Sequence, residues 1–145
     1  MDVFLANEQE LALDEQRLAA LARYVLSAEE VDGSAELSVL FVTSDHIRQL
    51  NARFANEDHA TDVLAFPMME EEDGALLLGD VVVCPTVAEK NATQLGHGLS
   101  AELDALVVHG TLHLLGYDHQ ETEDKAKMDR RMGEVLAAFE TASHI

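Results

Sequence analysis

Apolar positions along the chain change period several times, and each change marks an element. Val3 to Ala6 is a short apolar segment that reads as a first strand. From Asp14 onward Leu18, Leu21, Ala22 and Val25 recur at helical spacing, and Asp14 is placed to cap that helix. Asp32-Gly33-Ser34 interrupts the pattern as a turn. Leu37 to Val42 is a nearly continuous apolar run rich in β-branched and aromatic residues, the mark of a buried strand. Thr43-Ser44-Asp45 offers N-cap groups for a second helix carrying Ile47, Leu50, Asn51 and Phe54 on one face.

Val63 to Phe66 reads as a third strand, an edge or one that stops at Pro67, which cannot donate to a ladder. Glu70-Glu71-Glu72-Asp73-Gly74 reads as a solvated turn, with a binding loop as the alternative. Leu76 to Val83 is a strong strand, and Pro85 suits the first turn of a third helix that ends at Gly96 and Gly98. Ser100 is a candidate cap for a fourth helix, with Glu102 and Asp104 in its first turn. After Gly116 a last helix presents Met128, Met132, Val135, Leu136 and Phe139 as a core stripe. The order is strand, helix, strand, helix, hairpin and three helices, so the expected fold is α/β (α+β): one domain over 1–145, a mixed sheet covered by helices.

Composition narrows the function. No apolar run approaches the roughly 18 residues needed to cross a bilayer, and the opening Met1-Asp2-Val3-Phe4-Leu5 lacks the basic start of a secretory signal. A lone cysteine, Cys84, excludes an internal disulfide framework and fits a reducing compartment; it reads as a small buried thiol rather than a nucleophile. Nine Lys and Arg against 28 Asp and Glu give a formal net charge of −19. Such a surface repels phosphate backbones at long range, which argues against a free-standing nucleic-acid binder. Lys125, Lys127, Arg130 and Arg131 concentrate base on the last helix, either as a contact for RNA or an acidic protein or as a solvated face interleaved with acids. His46, His59, His97 and His144 are isolated and read as solvated or locally bonded.

The chemistry gathers in His109-Gly110-Thr111-Leu112-His113-Leu114-Leu115-Gly116-Tyr117-Asp118-His119. His109 and His113 are four apart on a helix, so their imidazoles share a face. Gly116 lets the helix stop and the chain turn, which allows His119 to meet the other two. Two ligands from a rigid helix and one from the following turn leave an open position, as expected of a catalytic zinc. Leucines and valines clothe this helix on nearly every side, so its imidazoles need polar partners; a divalent cation would satisfy three at once, separate hydrogen bonds being the plainer alternative. The spacing matches metzincin proteases, but their general-base glutamate is replaced by Gly110, so peptide hydrolysis lacks its proton acceptor.

The segment Val108 to His119, together with Thr61-Asp62-Val63-Leu64-Ala65-Phe66-Pro67 and Leu78-Gly79-Asp80-Val81-Val82-Val83-Cys84-Pro85, resembles the bacterial YbeY family. The resemblance covers most of the chain. It implies a mixed four-stranded sheet with about five helices, and a cytoplasmic, metal-dependent, single-strand-specific endoribonuclease. It further implies action in 16S ribosomal RNA 3′-end maturation and ribosome quality control, with the small ribosomal subunit and its assembly proteins as partners. One Zn2+ per chain would be held by His109, His113 and His119.

Three neutral imidazoles leave the metal's charge in place, so a bound water would be acidified towards a pKa of about 7. The attacking group, hydroxide or the ribose 2′-hydroxyl, stays open. Asp118 either holds the outer nitrogen of a ligand histidine or caps the turn, and Asp62 and Asp80, read at strand ends, either orient a ligand or cap. The sequence departs from the family where a basic segment precedes TDVLSFP: Ala55 stands at the expected arginine and Glu57 at a lysine. Arg53 is either its substitute at phosphate or a solvated charge. Two other readings therefore accompany the nuclease: a ribosome-assembly binding protein with a structural zinc, and a different metal-dependent hydrolase.

Overall fold

The computed structural model describes residues 1–118 and 121–143. Its elements are β1 (Asp2–Asn7), α1 (Glu15–Ala28), β2 (Ala35–Phe41), α2 (Ser44–Phe54), β3 (Val63–Glu72), β4 (Ala75–Val83), α3 (Pro85–Leu95), α4 (Leu99–Leu114) and α5 (Thr122–Ser143). The strands lie in the order β1-β2-β4-β3, with β1, β2 and β4 parallel and β3 antiparallel to β4. The expected α+β fold, a mixed four-stranded sheet with five helices, is thus the fold that forms. None of the described helices is long and apolar enough to cross a membrane.

Alternation along β2 builds the main core. Leu37, Val39 and Phe41 are fully buried on one face, where they meet Leu18, Ala22 and Leu26 of α1 and Leu103, Leu106 and Val107 of α4. Each such aliphatic side chain stabilises the fold by about 1.5–3 kcal/mol. A second cluster joins Leu21 and Val25 of α1, Val108 and Leu112 of α4, and Met128, Val135 and Phe139 of α5. The methionine and aromatic stripe of the last helix is therefore core. The other face of the sheet is partly covered by α2, through Ile47 against Val82, Val42 and the buried Cys84. With α1, α3 and α5 packed around it and the sheet beneath, α4 is the central helix.

Caps follow the sequence at two helices and depart from it at a third. Asp14 accepts from the Arg17 backbone N–H, and Thr43 from that of His46, both at 3.2 Å. Helix α4 instead begins one turn position early, with Gly98 at its N-cap and Ser100 inside the first turn. Phe54, expected on the buried face of α2, is 61% exposed, and its ring meets Phe66 edge-on at 5.3 Å.

The third strand does not stop at Pro67. It continues to Glu72, and only Asp73-Gly74, both with positive φ (50° and 83°), forms the hairpin turn. Proline is tolerated because β3 is an edge strand. Glu70, Glu71 and Glu72 are exposed strand residues, neither a turn nor a binding loop, and their charge guards the edge against pairing with another chain. The register shifts between Pro67 and Glu70, with Met69 at φ 52°. Opposite, Gly79 has φ 139°, and a Cβ there would stand 2.2 Å from the Phe66 carbonyl oxygen. Gly79→Ala is expected to destabilise the protein by about 1–3 kcal/mol, measured as a lower urea midpoint at unchanged slope.

Candidate metal centre

The sheet presses against α4 at one residue. A Cβ on Gly110 would lie 2.5 Å from Val81 Cγ1 and 3.4 Å from Val63 Cγ2, so this position must be glycine for the helix to seat. Position 110 therefore faces the sheet. The residue that would be a protease's general base points into β-branched side chains, not toward the histidines, which gives the missing glutamate a packing cause.

Most of α4 is buried, but Ala105, His109 and His113, spaced by four, form a half-buried stripe. The two imidazole rings are nearly parallel, 5° apart in plane, with centroids 6.5 Å apart. The Nδ1 atom of His113 is closed off from solvent. Burial of these rings is thus partial rather than the near-complete enclosure the leucine pattern suggests, because this stripe looks over the edge strand and not into it. Two clefts of about 200 and 230 Å3 meet at His109 and Val63. The first is walled by Leu64, Ala65, Gly110 and His113, the second by Asp62, Glu102, Ala105, Leu106 and Met132.

Two neutral imidazoles on one helix face are donors suited to zinc and to other borderline cations. Among the described residues no three His, Cys, Asp or Glu side chains gather to hold a metal. The third expected ligand, His119, lies outside the described residues, as does His144. Of the three expected ligands, the described residues include His109 and His113, side by side on α4.

Glu102 is a site residue that the sequence reading passed over as a helix-end charge. It is 7% exposed, lines the cleft beside His109, and makes a 2.6 Å hydrogen bond with His97 Nε2. Its spacing, seven residues before His109, was the available signal. Asp62 opens β3 and shares that cleft; its carboxylate accepts from Asn91 Nδ2 at 3.2 Å, and its carbonyl from the Cys84 N–H at 2.9 Å. Asp80, in contrast, is mid-strand rather than at a strand end. It pairs with Ser38 and Phe66 on the α2 side of the sheet, so strand alternation separates it from the histidines. Asp118 is half-buried in the wall of a cavity of about 410 Å3 that it shares with Gly116, Tyr117, Asp124 and Lys127.

The basic residues are largely committed elsewhere. Arg131 is ion-paired with Glu29, and Lys125 bonds Asp129 at 2.7 Å. Arg53 is exposed with its guanidinium 5.4 Å from the Phe54 ring, and lines neither histidine cleft. In the loop that departs from the family, Glu57 is exposed and bonds His59 Nε2 at 2.8 Å, and Asp58 pairs with Arg48. The Glu57 carboxylate, with the Ala60 carbonyl, holds the His59 imidazole above its ordinary pKa.

A family model, Endoribonuclease YbeY, matches residues 4–140 of this chain. The chain belongs to the YbeY endoribonuclease family. An Endoribonuclease YbeY of Parafrankia sp. is 47% identical over 99% of this chain and 97% of its own length. That of Thermobifida fusca is 46% identical over 96% and 94% respectively. The solution structure of a Thermotoga maritima protein superposes with a TM-score of 0.63 at 30% identity, covering 97% of this chain and 93% of that one. The protein is accordingly an endoribonuclease, a hydrolase whose substrate is RNA, of a metal-dependent nuclease family. RNA cleavage thus prevails over the readings as an assembly protein or as a different hydrolase.

Two outcomes are expected. Gly110→Ala should lower unfolding free energy by about 1–3 kcal/mol in denaturant titration, overpacking outweighing alanine's helix propensity. By NMR titration, Glu57→Gln should move the His59 pKa down toward about 6.5, since removing the carboxylate removes what favours the imidazolium.

Proposed function

We propose that this endoribonuclease is zinc-dependent, with His109, His113 and His119 as ligands, and that it cuts single-stranded RNA. The observation that carries the reading is the pair of parallel imidazoles, 6.5 Å apart, where two clefts meet beside the edge strand. Bound zinc supplies Lewis-acid polarisation of the phosphodiester and of a water. The chain's own residues do the rest. The rigid α4 backbone, seated by Gly110 on Val81, fixes both histidines relative to β3.

Its biological substrate, in this reading, is the 3′ end of 16S ribosomal RNA, cut in the cytoplasm during small-subunit maturation and quality control. Support comes from charge. With a net charge of −19 and no arginine in the 55–60 loop, the protein repels bare RNA. A substrate presented by the small subunit and its assembly proteins removes the need for capture by a basic surface.

Wild-type protein of measured zinc content is expected to cleave single-stranded ribosomal RNA. His113→Ala, purified identically, should lose zinc and more than about 100-fold in rate. Equal cleavage by the two would overturn the zinc assignment.

A further inference from the structure

The stripe of α4 that carries the histidines does not end at Ala105. Glu102, three residues earlier, continues it, so Glu102, Ala105, His109 and His113 follow one another along one helix face. Glu102 and His109 stand two turns apart, about 10.5 Å along the axis, and border the same cleft of about 230 Å3. Its sides are apolar, from Val63, Ala105, Leu106 and Met132, and besides His109 its polar groups are two carboxylates, Asp62 and Glu102. Each carboxylate is held from behind. Asp62 accepts from Asn91 Nδ2 at 3.2 Å and from Thr61 Oγ1 at 3.4 Å, and Glu102 Oε2 accepts from His97 Nε2 at 2.6 Å. Glu102 Oε1 accepts from no described residue and is not closed off from solvent. In a residue only 7% exposed, that opening is the cleft.

We propose that this cleft is a base-recognition subsite, which takes the base of a nucleotide next to the cut and prefers guanine. The inference rests on RNA being cut at the histidine pair. Carboxylate oxygens are acceptors only, so the cleft matches a ligand edge that offers N–H donors between two flat apolar faces. Guanine is such a ligand: its N1–H and N2 amino group stand side by side on the Watson–Crick edge, where carboxylates read bases. Cytosine and adenine offer one amino group each beside an acceptor ring nitrogen. Uracil sets two carbonyl oxygens around its single N–H, and a phosphate meets the carboxylates with like charge, so both are turned away. That exclusion sorts the RNA: the backbone stays with His109 and His113, and the base goes to Asp62 and Glu102. The two-turn step along α4 is of the same order as the reach from a phosphate to the outer edge of a neighbouring base. Because His97 and Asn91 already orient the carboxylates, binding a base orders little else, which keeps its cost low. A protein with a net charge of −19 thereby holds RNA through its bases instead of its phosphates.

The test uses unpaired oligouridines and the full chain loaded with zinc. One RNA carries a single guanosine, a second a single inosine, which lacks only the N2 amino group, and a third is uridine throughout. Cutting is expected at a fixed position beside the guanosine, about 10-fold or more faster than beside inosine or at uridine. Glu102→Gln and Asp62→Asn each place an amide donor among the acceptors, and either is expected to bring the guanosine-to-inosine ratio toward parity. By NMR, the guanosine RNA should also move the His97 ring signals more than the inosine RNA does. Equal cutting of the three RNAs by the wild type would overturn the proposal, as would equal movement of the His97 signals. So would a guanosine preference that survives both substitutions. The inosine comparison uses the unaltered protein, so the result does not hang on a variant that folds. His113→Ala separates the two levels: if it cuts as the wild type does, the histidine pair is not the place of cutting and the subsite falls with it. If it abolishes cutting while the wild type shows no base preference, only the subsite fails.

Discussion

The close approach of α4 to the sheet at Gly110 governs the arrangement of the rest. With Val81 Cγ1 2.5 Å from where a Cβ would stand, the helix sits lower than any other residue at that position would permit. That depth lets Leu103, Leu106 and Val107 reach the sheet-facing core, and lets Val108 and Leu112 face outward to α1 and α5. The one stripe left between these two buried surfaces carries Ala105, His109 and His113. The site is therefore a by-product of packing: a helix buried on nearly all sides opens at a single seam, and the seam runs along the edge strand β3.

Charge is organised around the same layer. The protein has few cations, and at least four of the nine are held in ion pairs. Arg17 bonds Asp104 at 2.6 Å and lies 5.5 Å from the Phe139 ring, linking α1, α4 and α5 at one end. Arg131 with Glu29 and Tyr117 links α1, α5 and the α4 turn at the other. Breaking either leaves a poorly hydrated carboxylate among apolar neighbours, a costlier loss than that of a solvent-exposed pair. The acids left over lie mainly on the surface, where they give the protein its net charge of −19.

The sequence by itself determined what depends on neighbours within a few residues. Periodicity set the four strands and five helices, Asp14 and Thr43 marked two caps, and a spacing of four put His109 and His113 on one face. The resemblance carried by the histidine segment and its two upstream blocks led to the right family. Tertiary structure alone decided whatever depends on residues far apart meeting. Pro67 lies within a strand because β3 is at the sheet's edge, and Asp80 faces away from the histidines because of its register with Ser38 and Phe66. Gly110 is required because Val81 stands beneath it, and Glu102 enters the cleft because His97 and β3 close around it. Arg131 reads as one basic residue among four until Glu29, 102 positions earlier, is beside it. Local backbone preference is written in a few consecutive side chains, whereas burial and pairing exist only once the chain has closed on itself.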